Sequence, residues 1–319
     1  MHNHNHQHHV HETITSVGDV FSYAAFSDLW SPFIIMLSVA ILVLYFLTIG
    51  PWRNKFKDSS PVSSGQVALF VAGIVLFYLA QGSPINYFGH HYLFSSHMLQ
   101  MSIMYIMMPP LLILGIPNWV YRSLFSRKMV EKAFNALAHP AIAIILFNFL
   151  ISMYHLPYIF DNMMANHLYH TIYHSAITVG AFLMWWPIVC PLPEMNTLTS
   201  LKKIAYIFIS GVMLTPVCVL IIFASQPIYS VYMDAPQLFR HLPILDDQQL
   251  GGVIMKVIQE LTYILTIAIV FYRWAFFERK TDAIDPVPEH IQSYGELGAG
   301  ISAGATDPSY PTTTTSTPK

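Results

Sequence analysis

Seven stretches of this chain are long and almost continuously apolar: approximately Trp30–Gly50, Val67–Gln81, Tyr92–Leu114, Pro140–Tyr154, His167–Val189, Ile204–Phe223 and Gly251–Trp274. A helix needs about 20 mostly apolar residues to cross the hydrocarbon of a bilayer. The pattern therefore predicts an all-α, polytopic membrane protein with seven transmembrane helices. The second and fourth segments are short for a span. They are expected either to start ahead of their apolar residues or to run with little tilt. Pro109-Pro110 is expected to bend or end the regular part of the third segment, and Thr215-Pro216 to kink the sixth. Trp30, Trp52, Trp119, Trp185, Trp186 and Trp274 fall mostly near segment ends, as an interfacial aromatic belt requires.

The polar connections between the segments predict orientation. Lysine and arginine collect in alternate ones: Arg53, Lys55 and Lys57, then Arg122, Arg127, Lys128 and Lys132, then Lys202 and Lys203, then Arg273, Arg279 and Lys280 after the seventh segment. The other set carries only Arg240. Positive charge is retained on the inner side, so the N-terminus is expected outside and the C-terminus inside. Residues 1–29 then form an extracellular His-rich arm, 30–275 the seven-helix domain and 276–319 a disordered cytoplasmic tail rich in Pro, Ser, Thr and Gly. Residues 1–29 lack the basic and apolar regions of a cleavable signal peptide. The first span is expected to serve as the insertion signal.

Composition agrees. Only 10% of the 319 residues are charged, against about 25% in soluble domains, and mean hydropathy is +0.49. A net charge of -2 gives no footprint for nucleic acid. Cys190 and Cys218 form no C-x-x-C motif, and no disulfide framework is expected.

What composition adds is an abundance of histidine and methionine, 16 of each. The predicted topology sorts the histidines. His90, His91, His97, His155, His167, His170, His174 and His241 fall on the outer side with those of the N-terminal arm, while His139 and His290 fall inside. In the third segment His97, Met101, Met104 and Met108 are spaced i, i+4, i+7 and i+11, one face of a helix. In the fifth, His170 and His174 are i, i+4, with His167 three residues before. Facing one another, the pairs His97/Met101 and His170/His174 would offer three imidazoles and a thioether, and a thioether selects Cu(I). The alternative is that these histidines only pack and bond to neighbouring carbonyls. Met104 and Met108 are read as core packing, with a copper-conducting ladder as the alternative. His155 is an outer ligand or a loop anchor. Asp247 is a carboxylate that orients a ligand histidine, or a helix cap. Lys256 and Glu260, i, i+4 in the seventh segment, are expected to neutralise each other. His2, His4, His6, His8, His9 and His11 make either a metal-collecting arm or an incidental low-complexity tail.

Three ordered motifs resemble the cytochrome c oxidase assembly factor CtaG family of Bacillus-type bacteria. They are His97-Met98-Leu99-Gln100 followed by Pro109-Pro110-Leu111-Leu112-Ile113-Leu114-Gly115-Ile116-Pro117, then His170-x3-His174 with Trp185-Trp186-Pro187, and then Asp247-Gln248-Gln249-Leu250-Gly251-Gly252. The resemblance spans about residues 30 to 275. It implies a multi-pass plasma-membrane protein, not an enzyme, that helps build haem–copper oxidase at the copper-insertion stage. It carries over His97, His170, His174 and Asp247 as the site. Met101 departs from the histidine, and Lys256 from the apolar or Trp residue, that the family is expected to hold there. Together with the residue pattern, this leads to an expected Cu(I) site of His97, Met101, His170 and His174, with His167, His155 and Asp247 around it. The expected partners are an oxidase subunit, an extracytoplasmic copper donor and the lipid bilayer. A haem-binding electron carrier, a copper transporter and a purely structural scaffold are the alternatives.

Overall fold

A computed structural model describes residues 16–284, with side chains as far as Phe276. The described residues fall into two compact units, one ending at Phe271 and one beginning at Tyr272. The His-rich stretch at residues 1–12 and the tail beyond Ile284 lie outside them. Among the described residues there is helix and no strand. Nine helices matter here: α1 Pro32–Ile49, α2 Ser64–Gly82, α3 Pro84–His91, α4 Phe94–Gly115, α5 Lys128–Leu137, α6 Pro140–Tyr154, α7 His167–Val189, α8 Ser200–Ile222 and α9 Ile244–Ile284.

Six helical stretches are long and apolar enough to cross a membrane: α1, α2 with α3, α4, α7, α8 and α9. The protein is multi-pass. The second stretch is lengthened by α3, which Ser83 and Pro84 start. The fourth is not lengthened. α6 has 15 residues, about 22 Å at 1.5 Å per residue, which is short of the roughly 30 Å core. It reaches span length only together with α5, and the two are bent by 61° where His139-Pro140 interrupts the helix. The count is therefore six, or seven with that bent pair as one span.

α4 sits in the middle. Of its apolar stretch 72% is buried, against 11% for α1 and 17% for α9. In lipid, apolar contact alone gives helices little reason to associate, so close approach and hydrogen bonds decide. Gly115 of α4 meets the α2 backbone so closely that a Cβ there would lie 2.6 Å from the Phe70 nitrogen. Tyr45 of α1 stacks on Phe70 at 3.8 Å and donates to the Gly115 carbonyl at 3.0 Å.

Pro109-Pro110 does not end α4. Residues Ile103–Met107 widen into a π turn, with the Met108 N–H bonded to the Ile103 carbonyl. Pro109 has no N–H for the Tyr105 carbonyl, and the Trp185 indole donates to it instead, at 3.3 Å. This places Trp185 fully inside the core and buries Trp186, rather than in a lipid-facing belt. The π turn also resets the register between Met104 and Met108, so the His/Met stripe is not one straight face, although His97, Met101, Met104 and Met108 are all buried. Pro216 lies inside α8, which continues through it.

Candidate functional site

The site is assembled where the start of α4, the end of α3 and the start of α7 meet. α3 begins with Ser83, whose hydroxyl accepts from the Ile85 N–H, and with Pro84 in the first turn. Asn86 then ties α3 to α4, accepting at its side-chain oxygen from Gln100 at 2.9 Å. One turn on, His90 Nδ1 lies 2.9 Å from the Asn86 carbonyl. A carbonyl only accepts, so Nδ1 carries the proton and Nε2 of His90 presents a lone pair.

α4 has no side-chain cap of its own at Leu93. Asp247 in the first turn of α9 supplies one. Its carboxylate accepts from the Phe94 N–H at 2.7 Å, the Ser95 N–H at 3.4 Å and the Ser95 hydroxyl. An anion at a helix start meets both the free N–H groups and the helix dipole. Asp247 is thus a cap, but of α4 rather than of its own helix, and through that cap it fixes where His97 sits. Gly89 completes the junction. A Cβ there would meet the His97 backbone at 2.9 Å, so only glycine lets the end of α3 lie this close.

α7 starts at Asn166, whose side-chain oxygen accepts from the Leu168 and Tyr169 N–H groups. His167 lies exposed at its rim. His170 and His174, one turn apart, stack with ring centres 4.0 Å apart. His90 Nε2 is 3.3 Å from His170 Nε2. The His97 ring centre lies 5.9 Å from that of His174 and 6.0 Å from that of His90. Four imidazoles from three helices therefore share one pocket, with His97 fully buried and His174 nearly so.

Two tyrosines close the pocket. The Tyr105 hydroxyl, from the π turn, is 2.6 Å from His174 Nδ1, and the Tyr154 hydroxyl is 2.9 Å from His174 Nε2 and 3.3 Å from His97 Nε2. Both nitrogens of His174 are occupied. His97 Nδ1 is buried without a hydrogen-bond partner. His155 packs beside Tyr154 with Nδ1 bonded to the Ile151 carbonyl at 2.7 Å, and its Nε2 is also buried and unpartnered. Burial pushes the His155 imidazole down to about 4; the bond to Ile151 opposes this only in part. Met101 is buried one turn along α4 from His97.

The fold brings His97, His170 and His174 together, keeps Met101 and His155 close by in sequence to the residues of the pocket, leaves His167 at the rim and gives Asp247 to the helix start. Sequence reasoning missed three members: His90, Tyr105 and Tyr154. His90 had a signal, since Ser83-Pro84 is a helix start that places Asn86 and His90 one turn apart. The tyrosines had none, because an aromatic in an apolar helix looks like packing. Among the described residues no three His, Cys, Asp or Glu side chains converge as a ready-made metal site. The donor set is nevertheless neutral, with lone pairs or a free nitrogen on His90, His97 and His155, and Met101 buried one turn along α4 from His97. That chemistry fits a soft cation once the tyrosine hydroxyls give way.

A family model described as cytochrome c oxidase caa3 assembly factor matches residues 43–276, which is most of the chain and every histidine of the pocket. No curated protein and no solved structure compared with the chain matches it.

Proposed function

The chain belongs to the cytochrome c oxidase caa3 assembly factor family, and from that premise we propose that it carries Cu(I) as cargo for the oxidase at the histidine end of its bundle. The observation that carries this is the pairing of His90 Nε2 with His170 Nε2 at 3.3 Å beside His97 and His174, whose ring hydrogen bonds among the described residues run to tyrosine hydroxyls. Neutral imidazole and thioether are the ligands a soft monovalent copper ion prefers.

The steps follow from the hydrogen bonds. The Asn86 carbonyl holds the His90 proton on Nδ1, so in the closed pocket His170 donates from its Nε2 to His90. Moving that proton to His170 Nδ1 frees two facing lone pairs. His97 adds its unpartnered Nδ1, or its Nε2 once the Tyr154 hydroxyl turns away, and Met101 adds a thioether. His174, held at both nitrogens, positions the pocket and is the reserve ligand. His167 at the rim receives the ion first, and His155 stands behind Tyr154. When the ion leaves, the tyrosine hydroxyls recover their hydrogen bonds. That lowers affinity, as a carrier that must release its cargo requires. The charge pattern of the connections supports placing this end outside the plasma membrane, where an extracytoplasmic donor would load the chain with copper and the chain would pass it to an oxidase subunit. The role assigned is carriage and delivery, with no chemical conversion.

The test is Cu(I) titration and metal analysis of detergent-purified protein lacking residues 1–12, whose own histidines would otherwise contribute. We expect about one tightly held copper, and a loss of at least tenfold in affinity for His90→Ala/His170→Ala and for His97→Ala. Copper content unchanged in these variants would refute the site. A Soret band that disappears in His97→Ala would assign the pocket to haem instead.

A further inference from the structure

A second polar cluster lies in the membrane, away from the histidines. Lys256 and Glu260 of α9 form an ion pair at 2.6 Å, and the Lys256 ammonium also donates to the Thr215 hydroxyl of α8 at 2.9 Å. Glu260 is near the midpoint of the apolar stretch Ile244–Phe276. It lies 13 residues beyond Asp247, about 20 Å along the helix axis at 1.5 Å per residue. Yet 45% of the Glu260 side chain and 25% of that of Lys256 are exposed. Their neighbours Phe208, Val212, Val257, Leu261 and Ile264 are exposed and apolar, so this is a lipid-facing surface. Charge at that depth is costly and is normally turned into the bundle or covered.

Beside the pair, a cavity of about 110 Å³ opens between α8 and α9, lined by Gly211, Thr215, Glu260 and Tyr263 among others. It has room for a small polar side chain, given the roughly 30 Å³ that one water occupies. Behind it, the Ser210 hydroxyl links Tyr263 at 3.1 Å and Asn148 at 3.3 Å. The side-chain oxygens of Gln259 and Asn148 are buried there without a hydrogen-bond partner.

We infer that this α8–α9 face is an intramembrane docking surface for a transmembrane helix of the oxidase under assembly, one that brings a hydrogen-bond donor to Glu260. The inference rests on family membership and is independent of copper. Its chemistry selects the occupant. Among the described residues the Glu260 carboxylate has Lys256 as its partner at one oxygen, which leaves an acceptor open toward lipid. An acyl chain offers no donor. A second copy of this chain would present the same carboxylate and an ammonium already used twice. A client helix carrying a hydroxyl, amide or indole N–H fills the cavity and satisfies the open oxygen.

The test is photo-crosslinking of the full chain in membranes of cells that are making the oxidase. A photoreactive residue replaces Val257 or Ile264, with exposed Leu44 of α1 as the control. We expect an adduct that contains an oxidase subunit, at least fivefold more abundant from either α9 position than from Leu44. Lys256→Met/Glu260→Leu should cut that adduct at least tenfold with little change in the thermal unfolding midpoint in detergent, since it removes a lipid-exposed charge pair along with the single Lys256–Thr215 hydrogen bond. The milder Glu260→Gln should reduce the adduct severalfold. Equal adducts at Leu44, adducts only with lipid or with a second copy, or a yield untouched by either variant would overturn the docking surface. Oxidase content in the same cells without the chain tests the assembly role separately. Unaltered oxidase there would remove the client and the inference with it.

Discussion

The two polar clusters of this protein differ in charge and in closure. The histidine pocket holds four imidazoles and two phenols, and its hydrogen bonds run from ring to ring. The α8–α9 cluster holds an ammonium and a carboxylate and is half open on its lipid side. A neutral, closed pocket is suited to something that enters and displaces internal hydrogen bonds. A charged, open face is suited to something that lies against it. One helix joins the two: the first turn of α9 caps α4 through Asp247, and its middle carries Lys256 and Glu260.

Acid should separate the regions most strongly. Unfolded, His155 takes up its proton near 6.5; folded, burial delays this to about 4. Between those values the unfolded chain holds the extra proton. Stability fully present above pH 6.5 is therefore lost as pH falls, by up to roughly 3 kcal/mol at pH 4. Unfolding midpoints measured from pH 7 to 4 should fall for the wild type and fall less for His155→Asn.

The next effect is steric. Gly89→Ala puts a Cβ 2.9 Å from the His97 backbone and should cost about 2 kcal/mol in a chemical unfolding series. It should also part His90 from His97, with weaker Cu(I) binding, and leave the α8–α9 crosslink intact. Asp247→Asn is smaller. It weakens a charged cap, costs about 1 kcal/mol and loosens His97, with an expected loss of about tenfold in Cu(I) affinity by competitive titration. If it abolished the crosslink at Val257 as well, the two regions would be one unit rather than two.

The smallest effect has the opposite sign. Tyr154→Phe removes the hydroxyl shared by His97 and His174. One hydrogen bond is worth about 1 kcal/mol, so Cu(I) should bind roughly fivefold more tightly and leave more slowly in stopped-flow transfer to a chelator. Weaker binding would mean that the phenol orients the imidazoles rather than competing with the ion.

Much of this was legible in the chain. Apolar length marks spans because no backbone polar group can go unpaired in hydrocarbon, and i, i+4 spacing placed His170 and His174 on one face wherever α7 packs. The ion pair of Lys256 and Glu260 followed from the same spacing. The fourth span was legible only in part, because apolar content does not reveal the 61° bend at Pro140.

The amino-acid order by itself determined a multi-pass helical membrane protein, the histidine-bearing turns of α4 and α7, and membership in an oxidase-assembly family. Tertiary structure alone decided that His90 joins them, that Tyr105 and Tyr154 occupy their nitrogens and that Asp247 serves a helix other than its own. The reason is physical. Periodicity fixes which side of a helix a residue lies on, because the backbone repeats locally. Which side chain stands opposite is set by contacts between residues as far apart as Phe94 and Asp247, and these are settled only when the helices pack.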